Sequence, residues 1–188
     1  MPNSSRQSAS PLRRRPLLLL LALLLLASPA AAQAEGLLQA KIKATYIFKL
    51  IPFVDWPSLE AAGPAEPIRV GIVGRDAVAD CLGELHGHSV RGRTLLVERY
   101  PASFSGPLAC HILYICPGES QRLPQLLQMA APASVLTVSD IPRFPSRGGM
   151  VGFADERGRV RIEINLRIAR QSSLRISAKL LEVATVYQ

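Results

Sequence analysis

The sequence predicts an α/β fold: a single compact domain with a largely parallel central sheet, helices on both faces and an antiparallel C-terminal hairpin. Three observations support this prediction. Short apolar stretches alternate with helical patterns, which is typical of parallel sheets covered on both faces. Residues 150–154 and 159–165 have the pattern of two hairpin arms around a turn that contains Gly158. The chain has 188 residues, 48% of them apolar, and shows no internal repeat, which suits one core.

The first 34 residues have the layout of a cleaved signal peptide. Arginines at positions 13–15 precede eleven consecutive apolar residues, and small residues offer cleavage sites after Ala32 or Ala34. Eleven residues of helix span about 16 Å, against about 30 Å for the hydrocarbon core of a bilayer, which argues against a membrane anchor. We therefore expect export, followed by a mature domain over residues 35–188.

The leader accounts for half of the net positive charge. The whole chain has 22 basic and 14 acidic residues, a formal net charge of +8. The leader holds four of the arginines and no acid, which leaves the mature chain at +4. Because this excess is mild and scattered, it does not predict nucleic-acid binding.

The mature chain opens with an amphipathic helix over residues 36–51, which Pro52 ends. Trp56, the only tryptophan, follows shortly afterwards. A tryptophan buries a large area and needs a partner for its N–H group. We favour Trp56 as a plug that closes the helix end onto the sheet; the alternative is a contact for a ligand or a partner protein.

Strands and helices then alternate along the middle of the chain, with Asp76 as a predicted helix cap. The predicted elements, in order, are a strand over 68–73, a helix over 77–85, a turn over 87–92, strands over 94–98 and 109–115, a helix over 121–131 and a strand over 135–138.

The stretch over residues 135–166 is the centre of the predicted fold: a strand, a Gly/Pro-rich loop and the hairpin. Apolar and polar residues alternate along the second hairpin arm, so one face is core and the other is a polar row. The row consists of Arg159, Arg161, Glu163 and Asn165. It faces solvent, a ligand or a partner. Helical patterns over residues 167–171 and 177–187 complete the chain.

Residues that could carry catalysis or bind a metal do not assemble into a known pattern. Ser139 and Asp140 end a strand, where α/β sheets bind ligands, but such residues also satisfy loop N–H groups, the interpretation we prefer. His86 and His88 lack the acidic residues that would complete a metal site, and His111 has the pattern of a core histidine. The sequence predicts no enzyme activity, no cofactor and no metal.

Three cysteines in an exported protein predict one disulfide and one thiol. Cys110 and Cys116 lie at the two ends of one predicted strand, about 20 Å apart, which is too far for a disulfide. This leaves Cys81–Cys110 or Cys81–Cys116, and we prefer the first because Cys110 follows a loop near the sheet edge. In the alternative interpretation, all three are small buried apolar residues.

Eight segments, in order along the mature chain, resemble the YfiR/HmsC-like family of exported bacterial proteins. They are KLIPFVDWP (49–57), IRVGIVG (68–74), VRGRTLLVER (90–99), CHILYI (110–115), VLTVSD (135–140), GGMVGF (148–153), GRVRIEINL (158–166) and LRISAKLLEVA (174–184). The resemblance implies a periplasmic α/β domain that forms a homodimer. It also implies a disulfide at the cysteine before the HILYI-like strand, here Cys110, whereas three cysteines exclude a second bridge within one monomer.

The resemblance further implies regulation of a membrane enzyme. Family members bind the periplasmic domain of an inner-membrane diguanylate cyclase and hold it inactive; its release raises cyclic di-GMP and promotes biofilm formation. The leading hypothesis is therefore a periplasmic repressor of such a cyclase, or of another membrane sensor. The alternative is a periplasmic small-ligand binding module for a sensor or transporter. Candidate contact residues are Trp56, Ser139, Asp140, Arg159, Arg161, Glu163 and Asn165.

Overall fold

The computed structural model describes residues 29–188, and its main feature is an eight-stranded sheet with the order β10-β8-β7-β6-β5-β2-β4-β3. Neighbouring strands are parallel except in the β3–β4 and β7–β8 pairs. This confirms the predicted fold class. The strands are β1 (Val54–Asp55), β2 (Ile68–Val73), β3 (Ser89–Val90), β4 (Arg93–Tyr100), β5 (Ile112–Ile115), β6 (Leu136–Ser139), β7 (Val151–Glu156), β8 (Arg159–Asn165), β9 (Arg175–Ile176) and β10 (Thr185–Tyr187).

Apolar residues alternate along the central strands and form two clusters, one on each face of the sheet. In β5, Ile112 and Tyr114 belong to the first cluster, and Leu113 and Ile115 to the second. The first face is covered by helices α1 and α3, the second by α4. The helices are α1 (Pro29–Leu50), α2 (Pro57–Ala61), α3 (Ala77–Gly83), α4 (Leu123–Ala130), α5 (Leu166–Gln171) and α6 (Ala178–Leu181).

Helix α1 begins earlier than the predicted start at residue 36. The predicted leader lies outside the described residues up to position 28, and cleavage after Ala32 or Ala34 stays a prediction. By its contacts the chain divides at Gly36, and the unit Leu37–Gln188 holds all the strands. Within the described residues, no helix combines the length and apolarity that a membrane span requires.

The C-terminal segment corrects one prediction. The helical pattern over residues 177–187 forms only the single turn α6, after which the chain extends into β10. Strand β10 pairs in parallel with the outer edge of β8, with Tyr187 opposite Asn165. The backbone N–H and C=O groups along this edge of β8 need hydrogen-bond partners, and β10 supplies them. This tertiary pairing overrides the local helical pattern.

A second small sheet is absent from the sequence prediction. Strands β1 and β9 form an antiparallel pair, and Ser177 N donates to Phe53 O directly beyond it at 2.8 Å. Two residues per strand are too short to give a recognisable alternation. The pair ties the segment after α5 to the stretch that follows α1.

Candidate functional site

The carboxyl ends of β2, β5 and β6 lie side by side, and the polar residues there are bonded within the protein. Ser139 is fully buried; its hydroxyl donates to Ile115 O at 2.7 Å and accepts from Ile141 N at 3.0 Å. Asp140 accepts a hydrogen bond and ion pair from Lys43 Nζ on α1 at 2.7 Å. Ser139 and Asp140 therefore hold the loop and α1 in place.

A second polar group at this edge centres on Asp76. One carboxylate oxygen accepts from Ala79 N at 2.7 Å and caps α3, as the sequence predicts. The other accepts from the hydroxyl of Tyr114 at 2.8 Å. Burial, and then the charge of Asp76, raises the pKa of Tyr114 above its usual value, so the phenol stays protonated and remains a donor.

The β7–β8 hairpin extends beyond this edge as a two-stranded arm, which we call the hairpin arm (residues 153–162). Strand β6 pairs only with Val151 and Gly152 of β7, and β10 reaches only as far as Glu163 of β8. The four outer residue pairs of the hairpin therefore have no strand on either side. At about 3.4 Å per residue, the arm extends about 14 Å.

The structure divides the predicted polar row. Asn165 is buried, caps α5 through Ile168 N at 3.0 Å and donates to Pro145 O at 2.9 Å. Glu163 accepts from the hydroxyl of Tyr187 at 2.8 Å. Arg161 pairs with Glu156 across the hairpin at 3.1 Å, and Arg159 is exposed. Of the predicted row, only Arg159 and Arg161 lie on the hairpin arm, which also carries the exposed Asp155, Glu156 and Arg157.

Trp56 lies at the opposite edge of the sheet, near the amino ends of the strands. Its indole N–H donates to His111 O at 3.0 Å, and its ring meets the His111 ring edge to face with centroids 6.2 Å apart. The His111 ring in turn accepts from Arg69 N through Nδ1 at 3.0 Å. This arrangement fits both the predicted plug and the predicted core histidine. Trp56 and Ser139 therefore do not share one surface.

An open cleft of about 220 Å³ borders Trp56 at this amino edge. Its apolar floor is buried, whereas charged residues from three segments line its rim. The lining residues are Ile51, Val54, Asp55, Trp56, Leu59, Glu60, Ile68, Arg91 and Arg93.

The predicted disulfide between Cys81 and Cys110 is wrong for this structure, in which all three cysteines are buried free thiols. Cys81 lies on α3 in the first apolar cluster, Cys110 lies in the second, and the sheet separates them. Sequence spacing does not reveal which face a cysteine takes. Burial raises the pKa of Cys110 to about 11 and raises the pKa of Cys81 and of Cys116, so the thiols are protonated and weakly nucleophilic at neutral pH.

Histidine and acidic residues do not converge on a metal geometry. His86 accepts from Val97 N at 3.1 Å, which uses its Nδ1 atom. Across the described part of the chain, no group of three or more His, Cys, Asp or Glu residues has the geometry to hold an ion.

Sequence reasoning missed Lys43 and Arg93. Lys43 follows Ala40 by three residues and precedes Ile47 by four, so helical spacing places it on the buried stripe of α1. That spacing is a signal for a lysine with an internal partner. Arg93 gives no such signal, because its partners are three backbone carbonyl oxygens, one from α2 and two from the loop that follows it.

Comparison with protein families gives one match, and it covers most of the structure just described. The family model described as YfiR/HmsC-like matches residues 40–185, from α1 to β10. Comparison with curated proteins gives no significant match. The family match supports, in general terms, a periplasmic regulator of diguanylate cyclase signalling rather than an enzyme. Because the match covers well over half of the chain, the chain belongs to the YfiR/HmsC-like family.

Proposed function

We propose that this protein binds the periplasmic domain of an inner-membrane diguanylate cyclase and represses it, lowering cyclic di-GMP and biofilm formation. The family match over residues 40–185 carries this proposal. The predicted signal peptide supports it, because an exported domain can reach the periplasmic part of a membrane enzyme. The internally bonded carboxyl edge supports it as well, since its polar residues already have partners and offer no ready set of catalytic groups.

The surface that best suits a partner lies beyond the carboxyl edge. The hairpin arm extends there and presents Arg159 and Arg161. Residues 37–42 of α1 extend past the same edge, because Lys43 contacts Asp140 while Ile51, after the helix, lines the cleft at the amino edge. Leu37 and Leu38 on this part of α1 are largely exposed. We call Leu37, Leu38 and the hairpin arm the docking surface.

Repression follows if the protein binds the inactive state of its target more tightly than the active state. Moving a cyclase from about 1% to about 99% inactive requires about 10⁴-fold tighter binding of the inactive state, or about 5.5 kcal/mol. A surface that offers both exposed leucines and arginines fits such binding, because apolar groups supply burial while charged groups supply specificity and a faster association rate.

Gene deletion combined with site-specific crosslinking tests this function. Deletion should raise intracellular cyclic di-GMP and biofilm formation, and the wild-type gene should restore both. A photocrosslinking residue at Leu38 or Arg161 should capture a membrane cyclase in intact cells, whereas one at exposed Glu84, after α3, should not. Unchanged cyclic di-GMP after deletion would contradict the proposed function; capture from Glu84 alone would contradict only the docking surface.

A homodimer is part of the proposal, because the family resemblance implies one. Light scattering on the purified mature chain should give twice the monomer mass at micromolar concentration. The alternative function is a small-ligand module built on the polar row and Ser139. It is less favoured, because Ser139, Asn165 and Glu163 each have a hydrogen-bond partner within the protein.

A further inference from the structure

The cleft at the amino edge has no role in the proposed repression. Its floor consists of Ile51, Val54, Trp56, Leu59 and Ile68, of which Leu59 is the most exposed, at 6%. A concave apolar floor with a few charged groups at its rim is the usual construction of a small-molecule site. The cleft has a volume of about 220 Å³, below the usual range, so the matching ligand is small.

Arg93 is the rim residue with the best-defined geometry. One guanidinium nitrogen, Nη1, donates to Gly63 O at 2.6 Å and to Glu66 O at 2.8 Å, and Nη2 donates to Leu59 O at 3.4 Å. All three partners are neutral carbonyl oxygens, and no carboxylate among the described residues forms an ion pair with Arg93. The side chain is therefore fixed in place while its positive charge remains uncompensated.

Arg93 keeps two donors that have no partner within the protein. A guanidinium has five N–H groups, and three are used, which leaves Nε–H and one N–H of Nη2. No buried side-chain nitrogen or oxygen in the described part of the chain lacks a partner, so Nε, which has none, is reached by solvent. Nε and Nη2 are neighbouring donors on a planar guanidinium, the group that pairs with the two oxygens of a carboxylate.

Arg91 adds a second positive charge, although its backbone is unfavourable for arginine. It occupies the two-residue β3–β4 turn with Gly92, and both residues have positive φ, +50° and +75°. Its guanidinium lies 3.7 Å from Asp55, in a pair of which both side chains are about half exposed. Such a pair is weak, so Arg91 can turn toward an anion in the cleft.

Glu60 and Asp55 limit how much negative charge the cleft accepts. Both line the cleft, so its lining contains two carboxylates as well as the two arginines. A ligand with one negative charge pairs with the guanidinium of Arg93. A dicarboxylate or phosphate would bring further negative charge close to Glu60 and Asp55, which would repel it. The charge balance favours a monocarboxylate.

We propose that this cleft binds a small monocarboxylate with a compact apolar body, such as a branched aliphatic acid of about six carbons. Arg93 holds the carboxylate through Nε and Nη2, and the buried floor around Trp56 takes the apolar body. This is a site separate from the docking surface, and its occupancy is measured on the isolated protein without the cyclase.

Binding is tested with 4-methylpentanoate and its neutral amide, 4-methylpentanamide. Trp56 is the only tryptophan, so its indole ¹H–¹⁵N signal and its fluorescence report on this cleft alone. The acid should shift both signals saturably with a Kd of about 1 mM, typical for so few atoms, and the amide should bind at least about tenfold more weakly. Equal binding of the two, or no saturable shift up to about 50 mM acid, would overturn the proposal.

Variants assign the contact to named residues. Arg93→Gln should weaken binding of the acid at least about tenfold, and Arg91→Asn a few-fold, since its charge is screened by solvent. Arg157→Asn makes the same change in the equivalent turn of the hairpin arm and should leave the Kd unchanged. If Arg93→Gln folds and binds the acid as tightly as the wild type, the proposal fails. If it does not fold, the acid-against-amide comparison decides.

Discussion

The two ends of the parallel strands are built in opposite ways. At the carboxyl edge, where open α/β sheets usually bind ligands, Ser139, Asp140 and Asp76 are all bonded within the protein. At the amino edge, Trp56 and Arg93 border an open cleft, and Arg93 keeps donors that reach solvent. The difference shows that a polar residue at the usual ligand-binding edge need not indicate a ligand site.

The reason for the difference is what covers each edge. Helix α1 crosses the first face of the sheet, and its Lys43 neutralises Asp140 at the carboxyl end. The loop with the 3₁₀ turn Phe144–Arg147 packs against Gly152 and supplies Pro145 O to Asn165. At the amino edge, the short segments that line the cleft leave it open beside Trp56. Packing closes the first edge and exposes the second.

The largest expected effect comes from a substitution at Gly149 that disrupts the packing over the carboxyl edge. A Cβ atom added there would collide with the ring of Phe144, which is fully buried. Gly149→Ala should lower the free energy of unfolding by about 3 kcal/mol, measured by urea denaturation. Gly106→Ala is the control, since its Cβ would meet the Phe104 ring at an ordinary 3.5 Å. A loss below about 1 kcal/mol in Gly149→Ala would show that Phe144 yields and that the closure is loose.

The next effect separates the covered ion pair from an exposed one. The side chains of Lys43 and Asp140 are 14% and 27% exposed, whereas those of Arg161 and Glu156 on the hairpin arm are 53% and 60% exposed. A double-mutant cycle with Lys43→Met and Asp140→Asn should give a coupling energy of about 1–2 kcal/mol. The same cycle with Arg161→Met and Glu156→Gln should give about 0–0.5 kcal/mol. Equal couplings would mean that α1 does not shield the carboxyl edge.

A smaller effect tests the amino edge through pH. Burial lowers the pKa of His111 below its usual 6.5, because the charged ring would lose solvation. Below pH 6.5 the unfolded chain therefore binds a proton at His111 more readily than the folded chain does. The contribution of neutral His111 to the free energy of unfolding is complete above pH 6.5 and is lost as pH falls through the folded pKa.

The variant His111→Asn keeps an acceptor for Arg69 N but cannot titrate in this range. Urea unfolding between about pH 7.5 and 5 should therefore show a steeper loss of stability in the wild type than in His111→Asn. His88→Asn, at an exposed position in the turn before β3, should follow the wild type. Parallel curves for wild type and His111→Asn would place the ring in a more polar setting than the structure describes.

Much of the fold could be predicted from the sequence, because strands such as Ile68–Val73 are bounded by turn residues and buried on both sides. The hairpin was also predicted, because Gly158 and the alternation in β8 are local signals. The β10 strand and the β1–β9 pair could not be predicted, since they depend on a free sheet edge rather than on periodicity.

The candidate site was less predictable than the fold. Trp56 is singled out by its residue type, but the same reasoning groups it with Ser139, which lies at the other end of the strands. The alternating pattern assigns Asn165 to the polar row, but in the structure it is the buried N-cap of α5, because the row ends where α5 begins. Arg93 depends on loop carbonyl groups whose position only the folded chain defines.

The smallest expected effect compares two turns with the same dipeptide, one at each end of the strands. Arg91-Gly92 joins β3 to β4, Arg157-Gly158 joins β7 to β8, and all four residues have positive φ. Two-residue turns of this kind favour asparagine before glycine, because asparagine adopts positive φ at lower cost than arginine. Arg91→Asn and Arg157→Asn should each raise the free energy of unfolding by about 0.5 kcal/mol, measured by urea denaturation. Stabilisation by Arg157→Asn with destabilisation by Arg91→Asn would show that the Arg91–Asp55 pair already orders the empty cleft, and that the amino edge is preformed rather than closed by its ligand.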